Sequence, residues 1–193
     1  MSGRLFIAVP LPGEYREILE GLTGRLRKRL PKGAPLTFTK PDTWHLTLRF
    51  LGDTPEERIE PLKAALADID WRAFTLRAGG YGAFPGIQRP RVLWVGLREG
   101  ADEARALASA VENASVAAGF EPEERPFRPH LTVARVKKGG RLLNAAELLA
   151  EIGRESWPGF LVRSFTLFGS ELRPEGAVHT PLAEFGAGTD EIG

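Results

Sequence analysis

Apolar residues along this chain fall into two kinds of pattern, and the two take turns. Residues 4–10 form a compact β-branched and aromatic run, which predicts a strand. Over residues 14–30 the apolar positions Tyr15, Ile18, Leu19, Leu22, Leu26 and Leu30 recur at helical spacing, and Pro31, Gly33 and Pro35 end the expected helix. The same reading gives strands at 36–40, 44–51, 74–84, 91–97, 130–137, 160–172 and 177–185. Further helices are expected at 55–70, capped by Asp53 or Thr54, at 101–118 and at 144–152.

Interleaved strands and helices alone suggest a parallel α/β sheet. Several strands, however, are joined by links too short for a crossover, such as 84–91 and 172–177, and short links favour antiparallel neighbours. The expected fold class is therefore α+β. The order of elements also repeats. Arg4-Leu5-Phe6-Ile7-Ala8-Val9 resembles Arg91-Val92-Leu93-Trp94-Val95-Gly96, 87 positions later, and a helix of similar length follows each. His45-Leu46-Thr47-Leu48 and His130-Leu131-Thr132-Val133 stand 85 positions apart, each followed by a helix and then a strand near Phe74 or Phe160. Two halves facing each other across a pseudo-two-fold axis are expected, each with an antiparallel sheet and helices outside. Such an arrangement brings both motifs to one cleft. Residues 1–186 read as a single bilobal domain, with motif-bearing halves around 36–90 and 120–176, and residues 187–193 as a flexible tail.

Two of the three histidines thus sit in the same tripeptide, His-Leu-Thr. In a strand, residues i and i+2 share a face, so His45 and Thr47 point one way while Leu46 and Leu48 point into the core. His130 and Thr132 repeat the arrangement. Two imidazoles and two hydroxyls around one point suit attack on a phosphodiester, where entering and leaving oxygens lie on opposite sides of phosphorus. One imidazole can take a proton from the nucleophile while the other gives one to the leaving oxygen, each role worth roughly 10²–10⁴ in rate. An ordinary imidazole pKa of about 6.5 lets one ring be neutral and one charged near neutral pH. The threonine hydroxyls can donate to the non-bridging oxygens as charge builds. A single His-x-Thr is more often packing than catalysis, and it is the duplication at corresponding places that points to chemistry. A metal pair fits less well, because it wants a third histidine or a nearby carboxylate. Asp42 and Asp53 flank His45, but nothing comparable stands beside His130. No metal and no cofactor are expected.

Composition narrows the partners. The chain has 193 residues, 42% of them apolar, which suits one domain or two small lobes sharing a core. Twenty-six basic residues against 25 acidic ones leave a formal net charge of +1, so any RNA contact is expected to be a local patch. The absence of cysteine excludes disulfides and thiolate metal sites. The apolar run at the start is too short for a signal-peptide core and is broken by Pro10 and Pro12. No stretch approaches the roughly 18 apolar residues of a membrane span. The expected compartment is the cytoplasm, with no membrane partner. Scarce Asn, Gln and Met with abundant Arg suit a thermophile and a GC-rich genome equally.

Four segments carry a family resemblance: Arg4-Leu5-Phe6-Ile7-Ala8-Val9-Pro10, Trp44-His45-Leu46-Thr47-Leu48-Arg49-Phe50-Leu51-Gly52, Pro90-Arg91-Val92-Leu93-Trp94-Val95-Gly96-Leu97 and Phe127-Arg128-Pro129-His130-Leu131-Thr132-Val133-Ala134-Arg135. With a closing strand pair bearing Ser170 and Leu172, they resemble the 2H phosphoesterases, in the branch of RNA 2′,3′-cyclic phosphodiesterases also called 2′-5′ RNA ligases. The resemblance covers nearly the whole chain and is specific because the two motifs occur together. It implies a bilobal fold with a central cleft and an RNA partner ending in a 2′,3′-cyclic phosphate, hydrolysed to a 2′-phosphate. It also implies joining of a 5′-hydroxyl RNA end through a 2′-5′ bond in vitro. By matching position it implies His45 as proton donor to the 3′-oxygen, His130 as the base that activates water, Phe50 stacking on a nucleobase and Arg135 approaching the phosphate. Strict alternation opposes the last two, because it puts Phe50 and Arg135 on the face opposite their histidines. Only a bulge or a strand end would turn them into the cleft.

His179 has no threonine at i+2, departs from the family pattern and reads as structural. Trp44, Trp94 and Phe84 read as core. Arg49, Arg89, Arg91 and Arg128 flank the motifs and could form the local basic rim. The cluster of Arg25, Arg27, Lys28 and Arg29 reads as a cationic helix end complementing the helix dipole. Two other functions stay open: the same chemistry on another cyclic nucleotide phosphate or a 2′-5′ linkage, and an RNA-end-binding module whose histidines only grip phosphate. A turnover assay separates the module from the enzymes, and a substrate panel separates the enzymes. A monomer is expected.

Overall fold

A computed structural model describes residues 3–173 and 176–188. In chain order the elements are β1 (Gly3–Pro10), α1 (Gly13–Arg29), β2 (Leu36–Phe38), β3 (His45–Thr54), α2 (Ile59–Ala67), β4 (Phe74–Phe84), β5 (Val92–Glu99), α3 (Ala101–Ala117), β6 (Leu131–Val136), α4 (Ala145–Ile152), β7 (Gly159–Val162), β8 (Ser164–Arg173) and β9 (Gly176–Gly186). They form an α+β fold of two sheets, ordered β3-β1-β8-β9 and β2-β6-β5-β4-β7. Every pairing in both sheets is antiparallel, including β4 with β5 and β8 with β9, the two pairs whose short links require it.

The two sheets are related by the repeat, but each borrows a strand from the other half of the sequence. The order β3-β1-β8 matches β6-β5-β4, so β4 of the first half completes the second sheet and β8 of the second half completes the first. A stretch read from sequence as one strand at 160–172 makes this exchange. It breaks at Arg163, with β7 paired to β4 in one sheet and β8 paired to β1 in the other. Lobe and sequence half therefore do not coincide.

One continuous apolar core joins both lobes. Helices α2 and α3 pack together, α3 against β3, while α1 meets α4, which lies on β4 and β5. Helix α1 is held by its apolar face and not by capping: Pro12 at its start makes no side-chain hydrogen bond, whereas Leu19, Leu22 and Leu26 are fully buried. Each such side chain contributes about 1.5–3 kcal/mol of burial. Tyr15, also on that face, satisfies its buried hydroxyl twice. It donates to the Pro158 carbonyl at 2.7 Å and accepts from the Ala78 N–H at 2.9 Å, tying α1 to β4 and to the segment entering β7.

Several local expectations are corrected. The helix expected at 55–70 begins as a 3-10 turn at Glu56–Arg58 and becomes α2 at Ile59, with Arg58 and not Thr54 or Asp53 at its N-cap. Thr54 is fully buried and donates instead to the Gly52 carbonyl at 3.1 Å. The basic end of α1 is occupied by α4 and the segment just after it: Arg25 pairs with Glu151 and Glu155, and Arg29 with Glu151, while Arg27 lies over the Phe38 ring. At the C-terminal end, the Ala187 N–H donates to Arg163 and the Gly188 N–H to Trp71, so both residues expected to begin a flexible tail are tied to the body. The rest of that expected tail, 189–193, lies outside the described residues.

Candidate active site

The two His-Leu-Thr tripeptides lie on different sheets and are locked to each other from behind. Trp44, which precedes the first motif, is buried, and its indole N–H donates to the Thr132 carbonyl of the second motif at 2.8 Å. The Thr39 hydroxyl donates to that same carbonyl at 2.8 Å, and the Thr39 N–H to Val133 at 2.9 Å. Trp44 is thus core, as the sequence reading expected, yet it also sets the spacing of the motifs.

His45, Thr47, His130 and Thr132 line one cleft of about 540 Å³, within the range of roughly 300–1,000 Å³ usual for small-ligand sites. Both imidazoles are held in the same way. Nδ1 of His45 lies 2.7 Å from the Thr43 carbonyl, and Nδ1 of His130 lies 2.7 Å from the Arg128 carbonyl. A carbonyl only accepts, so Nδ1 carries the proton in each neutral ring and Nε2 is left as the nitrogen that can exchange one. The equivalence of the two contacts, each to the residue two positions upstream, is the repeat expressed in side chains.

Both rings are driven toward the neutral form. Burial pushes His45 down from 6.5 to about 4, with smaller contributions from His179 and Arg135, against the hydrogen bond it donates to the Thr43 carbonyl, which favours the cation. His130 is lowered by burial and by Arg135, opposed by the Arg128 carbonyl. Against the expectation of one charged ring near neutral pH, burial favours the neutral form of both in the free protein. The cause is the packing around them. Phe6 stacks on His45 at 4.8 Å between centroids, and Phe84 meets His130 edge-on at 4.9 Å, with Trp94 at 6.4 Å. Phe84 and Trp94 are thus only half-buried core and also form the wall behind His130. Trp94 fits there because its cross-strand partner is Gly82; a Cβ at that position would lie 2.3 Å from the indole.

The conflict over Phe50 and Arg135 is resolved by two bulges. In β3, Thr47 pairs with Ala8 and Arg49 with Ile7, which leaves Leu48 as an extra residue. In β6, Thr132 pairs with Trp94 and Ala134 with Leu93, which leaves Val133 extra. Each extra residue stands three positions after its histidine. Leu48 and Arg49 are both buried in succession, as are Val133 and Ala134, so the alternation flips. Phe50 and Arg135 then face the cleft, which both line; Phe50 is 61% exposed. The bulge in β3 is clamped by Arg49, which is buried and not part of a basic rim. Its guanidinium pairs with the Glu112 carboxylate and donates to the carbonyls of Glu112 and Glu121. Glu112 in turn accepts from the Glu123 N–H, on the segment that leads into the second motif. Arg89, Arg91 and Arg128 are exposed but do not line the cleft, whereas Arg4 does.

His179 was read as structural, yet it lines the cleft too, with its ring 5.6 Å from His45 and 4.8 Å from Phe6. No motif marks it. Only the pairing of β8 with β9, which sets His179 opposite Ser170, carries it there. A somewhat larger groove, about 630 Å³, lies between β4, β5 and the end of α4. It contains no histidine, and two of its arginines are taken up by ion pairs, Arg77 with Glu99 and Arg154 with Glu151. Among the described residues no three His, Asp or Glu side chains converge to hold a metal ion, and no helix is long and apolar enough to cross a membrane.

Comparison with known proteins agrees with this geometry. The family model described as "LigT like Phosphoesterase" matches twice, over residues 9–94 and 95–179, one match around each histidine. An RNA 2′,3′-cyclic phosphodiesterase of Aeropyrum pernix is 36% identical over 165 residues, covering 85% of this chain and 94% of that protein. One of Archaeoglobus fulgidus is 32% identical over 182 residues, covering 94% and 99%. The crystal structure of Escherichia coli LigT complexed with 3′-AMP superposes with a TM-score of 0.75 at 26% identity, over 98% of this chain and 100% of that one. A doubled family pattern, a shared two-sheet fold and relatives matched nearly end to end place this chain in the LigT-like phosphoesterase family.

Proposed function

We propose that the chain hydrolyses RNA 2′,3′-cyclic phosphate ends to 2′-phosphates, with the two histidines as acid and base. The observation that carries this reading is the pair of Nδ1-anchored imidazoles sharing one cleft with two threonine hydroxyls. His130 Nε2 takes a proton from water as the water oxygen bonds to phosphorus. The bond from phosphorus to the 3′-oxygen breaks, and His45 Nε2 gives its proton to that oxygen. Thr47 and Thr132 donate to the non-bridging oxygens, and the Arg135 guanidinium balances the charge gathered there. Phe50, exposed on the cleft floor, offers a face for the terminal base.

Histidines that burial holds toward the neutral form suit this scheme. A bound phosphodiester brings a negative charge beside two buried rings, which favours protonating one of them. The acid form of His45 is thereby assembled with the substrate. The names of the relatives, RNA 2′,3′-cyclic phosphodiesterases, support the choice of substrate. With a 5′-hydroxyl RNA end in the place of water, the same displacement forms a 2′-5′ bond, so ligation in vitro is part of the proposal.

The test is a short RNA with a 2′,3′-cyclic end, incubated in EDTA, with the product identified by phosphorus NMR. A 2′-phosphate formed at an undiminished rate is expected, because side chains supply both proton transfers. Activity abolished by EDTA and restored by Mn²⁺ or Zn²⁺ would overturn the mechanism. A 3′-phosphate product would overturn the choice of leaving oxygen.

A further inference from the structure

Past Phe6 the cleft continues to a row of three side chains that the reaction above does not use. Arg4 on β1 pairs with Ser170 on β8, and Ser170 pairs with His179 on β9. A guanidinium, a hydroxyl and an imidazole therefore stand side by side across three neighbouring strands, and all three line the cleft. Directly opposed residues have Cβ atoms roughly 4.5–5.5 Å apart, close enough for neighbours in the row to contact one small anion. Arg4 lies two residues from Phe6 along β1, roughly 7 Å farther from the motifs.

Each member of the row has donor capacity to spare. The Ser170 hydroxyl makes no hydrogen bond among the described residues. Nδ1 of His179 is buried with no partner. A bare lone pair there wastes no N–H, which places the ring's proton on Nε2. Among the described residues Arg4 meets only Asp53, whose carboxylate lies 3.8 Å from Nε, beyond hydrogen-bond distance, and leaves the terminal guanidinium nitrogens open. Leu172, 67% exposed, and Ala177 border the row with apolar surface. Asp53 is the acidic neighbour in the next strand, and it faces the side of Arg4 away from Ser170.

Resting on the cyclic-phosphate reading, the geometry points to this row as the binding site for the phosphodiester on the 5′ side of the terminal nucleotide. With the cyclic phosphate between the threonines and the base against Phe50, the nucleotide's one remaining connection is its 5′-oxygen. The row is the donor set that the cleft offers beyond Phe50. The protein then recognises the end of an RNA chain in preference to a free nucleoside cyclic phosphate. A single phosphate contact also suits a protein with a formal net charge of only +1.

The experiment compares three substrates with the same base: a nucleoside 2′,3′-cyclic phosphate, its 5′-phosphorylated form, and a dinucleotide ending in the cyclic phosphate. The dinucleotide should exceed the nucleoside in kcat/KM by about tenfold, through KM and not kcat, as a charge-assisted contact made equally in ground and transition state requires. That ratio should fall toward one in Arg4→Gln, and in the unaltered protein it should shrink with salt at a slope of about 0.7, one phosphate on a single strand. Because the readout is a ratio within each protein, a general loss of activity in the variant does not mimic it. A ratio near one in the unaltered protein, or one that survives Arg4→Gln, overturns the proposal. A gain confined to the 5′-phosphorylated nucleoside overturns it as well, since the row would then hold a monoester. Calorimetric affinities of the corresponding 2′-phosphate products repeat the comparison without turnover. Failure to hydrolyse any substrate therefore counts against the phosphodiesterase reading, while the product affinities still decide the row.

Discussion

Acid should destabilise this protein through His45 by a calculable amount. The folded state holds this ring near pKa 4 by burying it, while in the unfolded chain it returns to about 6.5. The unfolded state then binds more protons between these values, so stability is complete above the unfolded pKa, falls as pH drops through the window, and levels off below the folded pKa. The full difference of about 2.5 units corresponds to about 3 kcal/mol, and about 2 kcal/mol of it should be lost between about pH 7.5 and pH 5. The matching perturbation is His45→Asn, whose amide can still donate to the Thr43 carbonyl but does not titrate over this range. Urea unfolding at a series of pH values measures both proteins. His130 and His179, which burial also holds low, remain in both and largely cancel in the difference. The expected result is that the unaltered protein loses about 2 kcal/mol more than the variant between the two pH values. Parallel curves would refute the reasoning, because they would mean that His45 is not held neutral by its surroundings.

The remaining expectations concern chemistry and placement. His45→Ala or His130→Ala should each lower kcat at least about 10²-fold, with the double variant far less than additively worse; sulfur in place of the 3′-oxygen should rescue His45→Ala and not His130→Ala, and the opposite rescue would swap the roles. Plotted against pH, kcat/KM should trace a bell with both limbs displaced to the acid side of 6.5, because burial lowers both imidazoles in the free protein; limbs at or above 6.5 would contradict that. Phe50→Ala should change stability by less than about 0.5 kcal/mol, since the ring is largely exposed, yet raise KM by the equivalent of about 1–3 kcal/mol of lost base stacking; an unchanged KM would remove Phe50 from the site. Arg49→Leu should cost at least about 2 kcal/mol in urea unfolding, because it leaves Glu112 and two carbonyls without their buried partner; a neutral outcome would mean that the clamp does not hold the bulge.

The sequence by itself determined the strand and helix inventory except for the break at Arg163, together with the antiparallel pairing and the repeat. These depend on local periodicity and link length, which one sequence displays. It also put His45 with Thr47, and His130 with Thr132, on shared strand faces, because a spacing of two residues needs no partner strand to interpret. Tertiary structure decided the rest. Whether Phe50 and Arg135 face the cleft depends on the bulges at Leu48 and Val133, which exist only relative to the strands opposite. Arg49 looks like a rim charge in sequence and is a buried clamp, because its partners Glu112 and Glu121 lie more than sixty residues away. The exchange of β4 and β8 between sheets, hidden in a run that reads as one strand, brings His179 beside His45. The acid strength of both histidines is likewise a property of what packs on them. A pattern of two or four residues records which face a side chain occupies; what stands opposite that face, and how much water it excludes, is settled only when distant segments meet.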